Sequence, residues 1–381
     1  MKIAIVGSGI SGLVCAHLLH PQHDITVFEA NDYIGGHTHT VTVQAADGEL
    51  AVDTGFIVCN DRTYPNFLGL LSELGVRTRP TSMGFSVHCD RCGLEYSGNS
   101  LNTLFAQRSN LLRWSHYRLL AEILRFHRES WRLLNGSEVR TAGSTAQSIS
   151  DDLTLGEFLR AGRYSSSFAE HYLLPMGAAI WSCPMSVFEE FPLRFVLEFY
   201  QHHGLLQIRD RPTWQVIAGG SRTYVERLVA PFRTQIRLQC PVHRIERRPD
   251  GVEVASPRGV ELFDELILAC HSDQAVLPEF PYSRNHAVLH TDVTVLPRLR
   301  STWSSWNYQI PRGAETRPTV TYQMNILQHL ETPEIYCVTL NDSGRIEPRR
   351  VLGEYLYEHP VLTTRRSRGP QRPGEPIRSN P

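Results

Sequence analysis

The sequence predicts an α/β chain in which a discontinuous domain built on a parallel sheet is interrupted by an inserted domain of helices and β-sheet. Three observations carry this expectation. The first thirty residues read as strand, glycine turn, helix and second strand; residues 101–134 repeat apolar side chains at helical spacing; and residues 280–345 hold β-branched and aromatic runs such as Thr319-Val320-Thr321-Tyr322 and Ile335-Tyr336-Cys337-Val338-Thr339. At 381 residues the chain is long for one domain, and 41% hydrophobic with 20% charged residues is the composition of a folded globular body, not of a disordered or membrane chain.

The N-terminal unit is the most informative. Ile3-Ala4-Ile5-Val6 is a short β-prone run, Gly7-Ser8-Gly9-Ile10-Ser11-Gly12 follows, and Leu13 to Leu19 is apolar and helical. This is the dinucleotide-binding fingerprint of a Rossmann-like domain. Gly7 allows the tight turn, Gly9 lets a pyrophosphate approach the backbone, and Gly12 lets helix and strand pack closely. The phosphates meet amides and partial positive charge at the helix N-terminus, the stretch that includes Ser8, Ile10 and Ser11. Pro21 and Asp24 mark a turn, Ile25-Thr26-Val27-Phe28 is the second strand, and Glu29 ends it, placed to accept hydrogen bonds from both ribose hydroxyls of an adenosine.

Past Glu29 the chain reads Ala30-Asn31-Asp32-Tyr33-Ile34-Gly35-Gly36-His37. With this second glycine pair the sequence resembles the flavin-containing amine oxidase superfamily, which includes protoporphyrinogen oxidase and the carotenoid desaturases. A Gly-Gly-Arg segment there lines the FAD pyrophosphate. The resemblance implies FAD as cofactor, in preference to NAD, with Ala30, Gly35, Gly36 and His37 joining the first loop at the site. His37 stands where arginine is usual, so a fixed cation is replaced by a group that is neutral much of the time near pH 7. On the residues alone Gly35-Gly36 also reads as a plain loop, and an NAD-dependent dehydrogenase is the reading in which the pair has no purpose.

Further along, Val52 to Val58 reads as one strand with Gly55 inside it, a mark of close approach by another backbone or a ligand, so Thr54, Gly55 and Phe56 join the candidate site. Tyr64-Pro65 opens a helix that runs to about Gly75. These segments, with others such as 172–182, 267–275, 287–292 and 305–308, resemble a narrower bacterial family known mainly as FAD- or NAD-binding, amine-oxidase-like proteins; the resemblance runs from Met1 to about Thr364. In residues 101–134, Leu120, Leu124, His127, Trp131 and Leu134 form the expected buried stripe, and the opposite face carries Arg113, Arg118, Arg125, Arg128 and Arg132 with Glu122 and Glu129. That face reads as solvated, with a membrane-surface helix as the other reading. A second helical stretch is expected over 155–179. Gly219-Gly220 returns the chain to the first domain, and Val242 falls where members of the superfamily touch the adenine through main-chain atoms.

The domain scheme is therefore 1–80 and 211–279 for an FAD-binding domain, 81–210 (mostly helical) and 280–345 (sheet) for the inserted substrate domain, and 346–381 for a truncated C-terminal segment with a disordered basic tail. The superfamily's second glycine-rich strand and helix is not visible near the C-terminus, and residues 365–381 hold five arginines against Glu375. A shortened family member is the expectation, a basic interaction tail the alternative.

Formal charge is −1, from 38 basic and 39 acidic residues, so no global field favours nucleic acid. No apolar run approaches the ~18 residues of a transmembrane segment. Eight scattered cysteines with no secretory signal read as reduced thiols, hence a cytoplasmic location. Cys89-Asp90-Arg91-Cys92 beside His88 reads as a hairpin turn, with a redox pair and a zinc site as lesser readings. Trp181, Trp306 and Tyr308 are cavity-lining or core residues. Lys2 is the only lysine, so the water-bridged lysine that amine oxidases set against the flavin has no counterpart. The functional expectation is an FAD-dependent oxidoreductase that oxidises or desaturates a small apolar molecule, a lipid among the candidates, by hydride transfer, with no catalytic acid or base singled out. The alternative is a catalytically impaired nucleotide-binding protein.

Overall fold

The computed structural model describes residues 1–46, 48–136, 153–181, 183–207, 210–275, 282–312, 319–342 and 344–360. The expected tail beyond residue 360 lies outside them. The described residues form two compact units. One takes in Met1–Ala106, Pro212–Pro278 and Arg284–Tyr357, and the other centres on Gln107–Arg211. No described helix is long and apolar enough to cross a membrane.

In the first unit a four-stranded parallel sheet runs in the order Ile236–Arg237, Asp24–Phe28, Lys2–Val6, Glu265–Leu268. Its central strands read as unbroken apolar runs because both faces are covered. Ile3, Ile5, Ile25 and Val27 pack under the helices Ile10–Leu19, Pro65–Glu73 and Arg222–Val229, against Leu13, Leu71 and Leu228. Ala4 and Phe28 face the other way, onto Val254 and Phe263 of a three-stranded antiparallel sheet, Arg244–Arg248, Gly251–Ser256 and Gly259–Phe263. Pro65 at the first position of its helix has no amide to leave unsatisfied there.

A seven-stranded sheet has the order Val351–Pro360, Tyr282–His290, Cys337–Leu340, Thr319–Gln323, Trp306–Ile310, Phe85–Cys89, Glu95–Ser97. Trp306–Ile310 pairs in parallel with Phe85–Cys89, which forms an antiparallel hairpin with Glu95–Ser97. Cys89-Asp90-Arg91-Cys92 thus lies at the turn of that hairpin, and both ring nitrogens of His88 are within 2.8 Å of a carboxylate, Asp90 or Glu95. One expectation needs correction here. The strand expected over Val52 to Val58 is broken: Gly48–Asp53 ends before Thr54, and Val58–Asn60 pairs with a different partner, Trp214–Ile217. The described part of the segment after 346 holds a ten-residue strand, Val351–Pro360.

The Gln107–Arg211 unit is helical. Residues 101–134 are not one helix but Leu101–Leu104, a 3-10 turn over Arg108–Leu112, and Trp114–Leu134. The buried stripe of the long helix is rotated from the expected one: His116, Leu119, Glu122, Phe126, His127 and Ser130 face inward, and Leu124 is 54% exposed. Glu122 is drawn in because it accepts hydrogen bonds from the Ser165 hydroxyl and amide, and Ser165 in turn caps the turn at Ser166–Phe168. Arg125, assigned to the solvated face, is half-buried, pairs with Glu129 at 2.8 Å and lies over the Tyr164 ring. The stretch 155–179 is helical in pieces, Leu155–Ala161 with a Thr154/Glu157 capping box, then Ser166–Phe168, a π turn at Ala169–Leu173, and Leu174–Trp181.

Candidate functional site

The three glycines of the first loop meet three different surroundings. Gly7 has φ +106°, and a Cβ there would come 2.6 Å from the Ala269 carbonyl oxygen. A Cβ on Gly12 would overlap the carbonyl oxygen of Gly7, which is backbone and cannot swing aside. Among the described residues, its two chain neighbours aside, Gly9 has no heavy atom within 4 Å of the position its Cβ would take. Two glycines are therefore there for packing and the middle one opens onto space. Gly9 is also the N-cap of the Ile10–Leu19 helix and brings no side chain to cap it. The first-turn amides consequently keep their capacity for an outside acceptor.

Glu29 is buried at the end of the second strand. Its carboxylate accepts the Ser8 amide at 2.9 Å and the Ser8 hydroxyl at 2.6 Å on one oxygen, and the Asn31 amide at 2.9 Å on the other. A carboxylate has about four acceptor positions, so three are engaged in holding the loop and one is left. Sequence reasoning gave Glu29 to a ribose and missed its tie to Ser8. Ala30 is exposed beside it, and the Cys240 amide donates to the Glu29 carbonyl at 2.8 Å, which brings the segment with Val242 alongside. Val242 itself packs on the small core of Ala4 and Phe28.

The second glycine pair is folded onto the first loop. Gly35 donates its amide to the Ser8 carbonyl at 3.0 Å, and a Cβ on Gly36 would be 3.1 Å from the Gly9 Cα. His37 follows, its ring parallel to that of His271 with centroids 5.8 Å apart and 5.4 Å from the Tyr357 ring. Its carbonyl accepts the Phe56 amide at 2.7 Å, and a Cβ on Gly55 would overlap that same carbonyl. The close approach expected at Gly55 is thus made by backbone, at a break between strands. Gly7, Ser8, Gly9, Ile10, Ser11, Gly12, Glu29, Ala30, Gly35, Gly36, His37, Thr54, Gly55, Phe56 and Val242 all belong to the first unit.

Two clusters there were not read from the sequence. Tyr357 donates or accepts at Thr54 Oγ1 (2.7 Å) and at His39 Nδ1 (3.0 Å). Burial holds the His39 imidazole below its ordinary pKa, against the opposing pull of Asp32, and burial raises that of the Tyr357 hydroxyl. His39 Nδ1 also lies 3.1 Å from Thr54 Oγ1, so the three side chains form one hydrogen-bonded group whose donors are set by the His39 tautomer. The alternation of Tyr355 and Tyr357 along Val351–Pro360 is a period-two strand signal that would have pointed to this face. Second, fully buried Asp53 accepts from the Thr40 hydroxyl, from the Ser221 amide at 2.9 Å and hydroxyl at 3.1 Å, and from Gln328 Nε2 at 2.9 Å. Burial pushes its pKa up to about 6, with those hydrogen bonds and Arg222 acting in the other direction.

Of the aromatic residues weighed as cavity lining or core, Tyr308 is buried, and Trp181 and Trp306 are half-buried against other rings. Trp181 stacks on Phe188 (5.2 Å) and touches Phe199 (4.7 Å), and Trp306 meets Tyr322 edge-on at 5.3 Å.

The sequence model of the family described as flavin containing amine oxidoreductase matches residues 10–296. Among curated proteins, the chain is 27% identical over 284 residues to AofH of Mycobacterium tuberculosis, assigned as a flavin-containing monoamine oxidase, covering 74% of this chain and 59% of that one. It is 23% identical over 332 residues to the flavin-containing amine oxidase A of Sus scrofa, covering 85% and 56%. The chain thus spans less than three fifths of the length of these relatives. Among solved structures it resembles putrescine oxidase bound to putrescine (TM-score 0.62, 17% identity, 93% of this chain and 84% of that one). It also resembles a fatty acid isomerase from P. acnes that produces CLA (TM-score 0.62, 14% identity, 96% and 88%). At these identities the structures speak for the fold alone, an α/β flavoprotein fold. With the match covering well over half of its length, the chain belongs to the flavin containing amine oxidoreductase family.

Proposed function

We propose that this chain holds FAD and acts as a flavin-dependent oxidoreductase on a small apolar substrate, with a lipid among the candidates. The observation that carries the reading is the open space over Gly9, at a helix N-terminus and flanked by Gly36. Two phosphates fit the chemistry of that place, because amides and the helix dipole favour negative charge there. In this reading the amides from Gly9 to Gly12 face the pyrophosphate, Glu29 offers its remaining acceptor position to the ribose, and the main chain at Ala30 and Val242 borders the adenine. Gly35, Gly36, His37, Thr54, Gly55 and Phe56 border the rest of the cofactor. Residues 1–80 and 211–279 are assigned to the cofactor, and 81–210 with 280–345 to the substrate.

Bound flavin supplies the acceptor for a hydride that leaves a substrate carbon. The chain's own contribution is orientation and a fixed proton inventory: His39, kept neutral by burial, holds the Tyr357 hydroxyl at its Nδ1 beside Thr54. An apolar substrate is preferred to an amine because Lys2, the only lysine, lies with its ammonium 4.4 Å over the Phe263 ring and 3.9 Å from Glu261.

The test is to purify the chain, record the flavin absorbance bands before and after reconstitution with FAD, and screen apolar and amine compounds for anaerobic bleaching. Bleaching by an apolar compound is the expected result. Stoichiometric flavin that no compound bleaches would favour the catalytically impaired nucleotide-binding reading, and failure to take up FAD would end both. A finer prediction concerns His37. His37→Arg should tighten FAD binding about tenfold, roughly 1.4 kcal/mol, and His37→Glu should weaken it by a similar factor, both read from quenching of flavin fluorescence in a titration.

A further inference from the structure

The Gln107–Arg211 unit presents an apolar corner that its core does not use. The 3-10 turn Arg108–Leu112 passes through extended Arg113 into the helix Trp114–Leu134. At this corner Leu112 is 93% and Trp114 81% exposed, and Leu111 and Tyr117 are exposed beside them. Single exposed apolar residues are ordinary, but four within seven positions form a patch, and such patches mark interaction surfaces. The exposed face continues along the helix through Ala121 and Leu124 to Arg128, at spacings of three and four residues, with Arg113, Arg118 and Arg132 also exposed.

Among the described residues that face carries no carboxylate. The two acids of the helix turn inward: Glu122 is engaged by Ser165, and Glu129 accepts from Arg125 at 2.8 Å and from the Tyr164 hydroxyl at 2.6 Å. Among the described residues, Arg118 of this face pairs with Glu122 at 3.3 Å. The result is an amphipathic surface of leucine, tryptophan and tyrosine set among arginines.

We propose that this face docks on an anionic lipid bilayer. Tryptophan and tyrosine rings favour the headgroup level, leucines reach the acyl boundary, and arginines attract anionic headgroups. A second copy of the same face is the poorer occupant, because it would set Arg113, Arg118 and Arg128 against their own like charges. The helix lies on the surface and does not cross it, being too polar for a span.

The experiment is flotation of the purified full chain with vesicles of phosphatidylcholine alone and of phosphatidylcholine mixed with phosphatidylglycerol. The expected result is binding to the mixed vesicles that weakens with added salt and is much poorer on phosphatidylcholine. Leu112→Ser combined with Trp114→Ser should lower the partition about tenfold or more. Arg113→Glu combined with Arg118→Glu should remove the preference for the anionic vesicles. These side chains being exposed, circular dichroism should be unchanged, and Leu101→Ser, at another highly exposed leucine outside this unit, should bind as the native chain does. Equal binding to both vesicle types, no binding at all, or full retention by either double variant would overturn the proposal. So would a concentration-dependent dimer that the Leu112→Ser, Trp114→Ser variant dissolves.

Discussion

Gly9→Val is expected to abolish FAD uptake and leave the fold standing, and Gly12→Val to destroy the fold and the uptake together. The two positions are three residues apart in one loop, yet they differ in what a side chain would meet. At Gly9 the side chain enters open space, so stability should change by no more than about 0.5 kcal/mol, the range of an ordinary surface substitution. The same methyls would occupy the proposed phosphate position, and an affinity loss of at least about a hundredfold, roughly 2.7 kcal/mol, is expected. At Gly12 the new Cβ overlaps the Gly7 carbonyl, and neither helix nor strand can retreat without opening the Ile5, Leu13 and Val27 core. The expected destabilisation is about 3 kcal/mol or more. Urea unfolding and flavin titration, run on both variants, separate the cases. A Gly9→Val protein that still takes up FAD normally would remove the observation on which the functional reading rests.

The second large effect is acid sensitivity, where two kinds of buried group pull in opposite directions. Burial lowers the pKa of His127 and of His290 to about 4. An imidazole depressed in the folded state contributes stability that is complete above its unfolded pKa of about 6.5 and is lost as pH falls from there toward 4, about 3 kcal/mol for each. Asp53 does the reverse: its pKa is raised to about 6, so ionisation costs the folded state about 3 kcal/mol at pH 7, and that cost disappears as pH falls toward 4. In the first unit His290 and Asp53 nearly cancel. In the Gln107–Arg211 unit His127 is not opposed by a raised carboxylate among the described residues, so acid should cost this unit stability below about pH 6.5.

Urea unfolding at pH 7 and pH 4.5 checks the balance. His127→Gln should flatten the acid loss of the helical unit. Asp53→Asn should steepen that of the first unit, and should also cost stability at every pH because its amide would face the Gln328 amide. Identical pH slopes in native and variant proteins would refute the assignment.

The parts of the molecule that were legible in the sequence are those settled by neighbours along the chain. Gly7, Gly9 and Gly12 could be assigned separate roles because turn, helix start and strand contact all lie within a dozen residues. The placing of Gly35-Gly36 on that loop was legible only through family resemblance, since a glycine pair states no partner. What could not be read were contacts made by polar groups across long separations. Glu122 looks like a surface acid until Ser165 is folded against it. Asp53 looks like the end of a strand until Ser221 and Gln328 surround it, and the His39, Thr54 and Tyr357 trio spans three hundred residues. Periodicity ranks positions by hydrophobicity, so it rotated the stripe of the long helix toward Leu124 and away from the buried acid and serine.

The first strand also has a consequence for how the chain is made. Lys2–Val6 occupies the middle of its sheet, and one of its two neighbours is Glu265–Leu268. During synthesis at about 5–20 residues per second, that flank stays unsealed for something like 13–50 seconds after the strand has left the ribosome. The nascent protein therefore carries a sticky β edge through most of its translation. Its yield should depend on chaperone supply and on growth temperature well before any ligand or membrane enters the account.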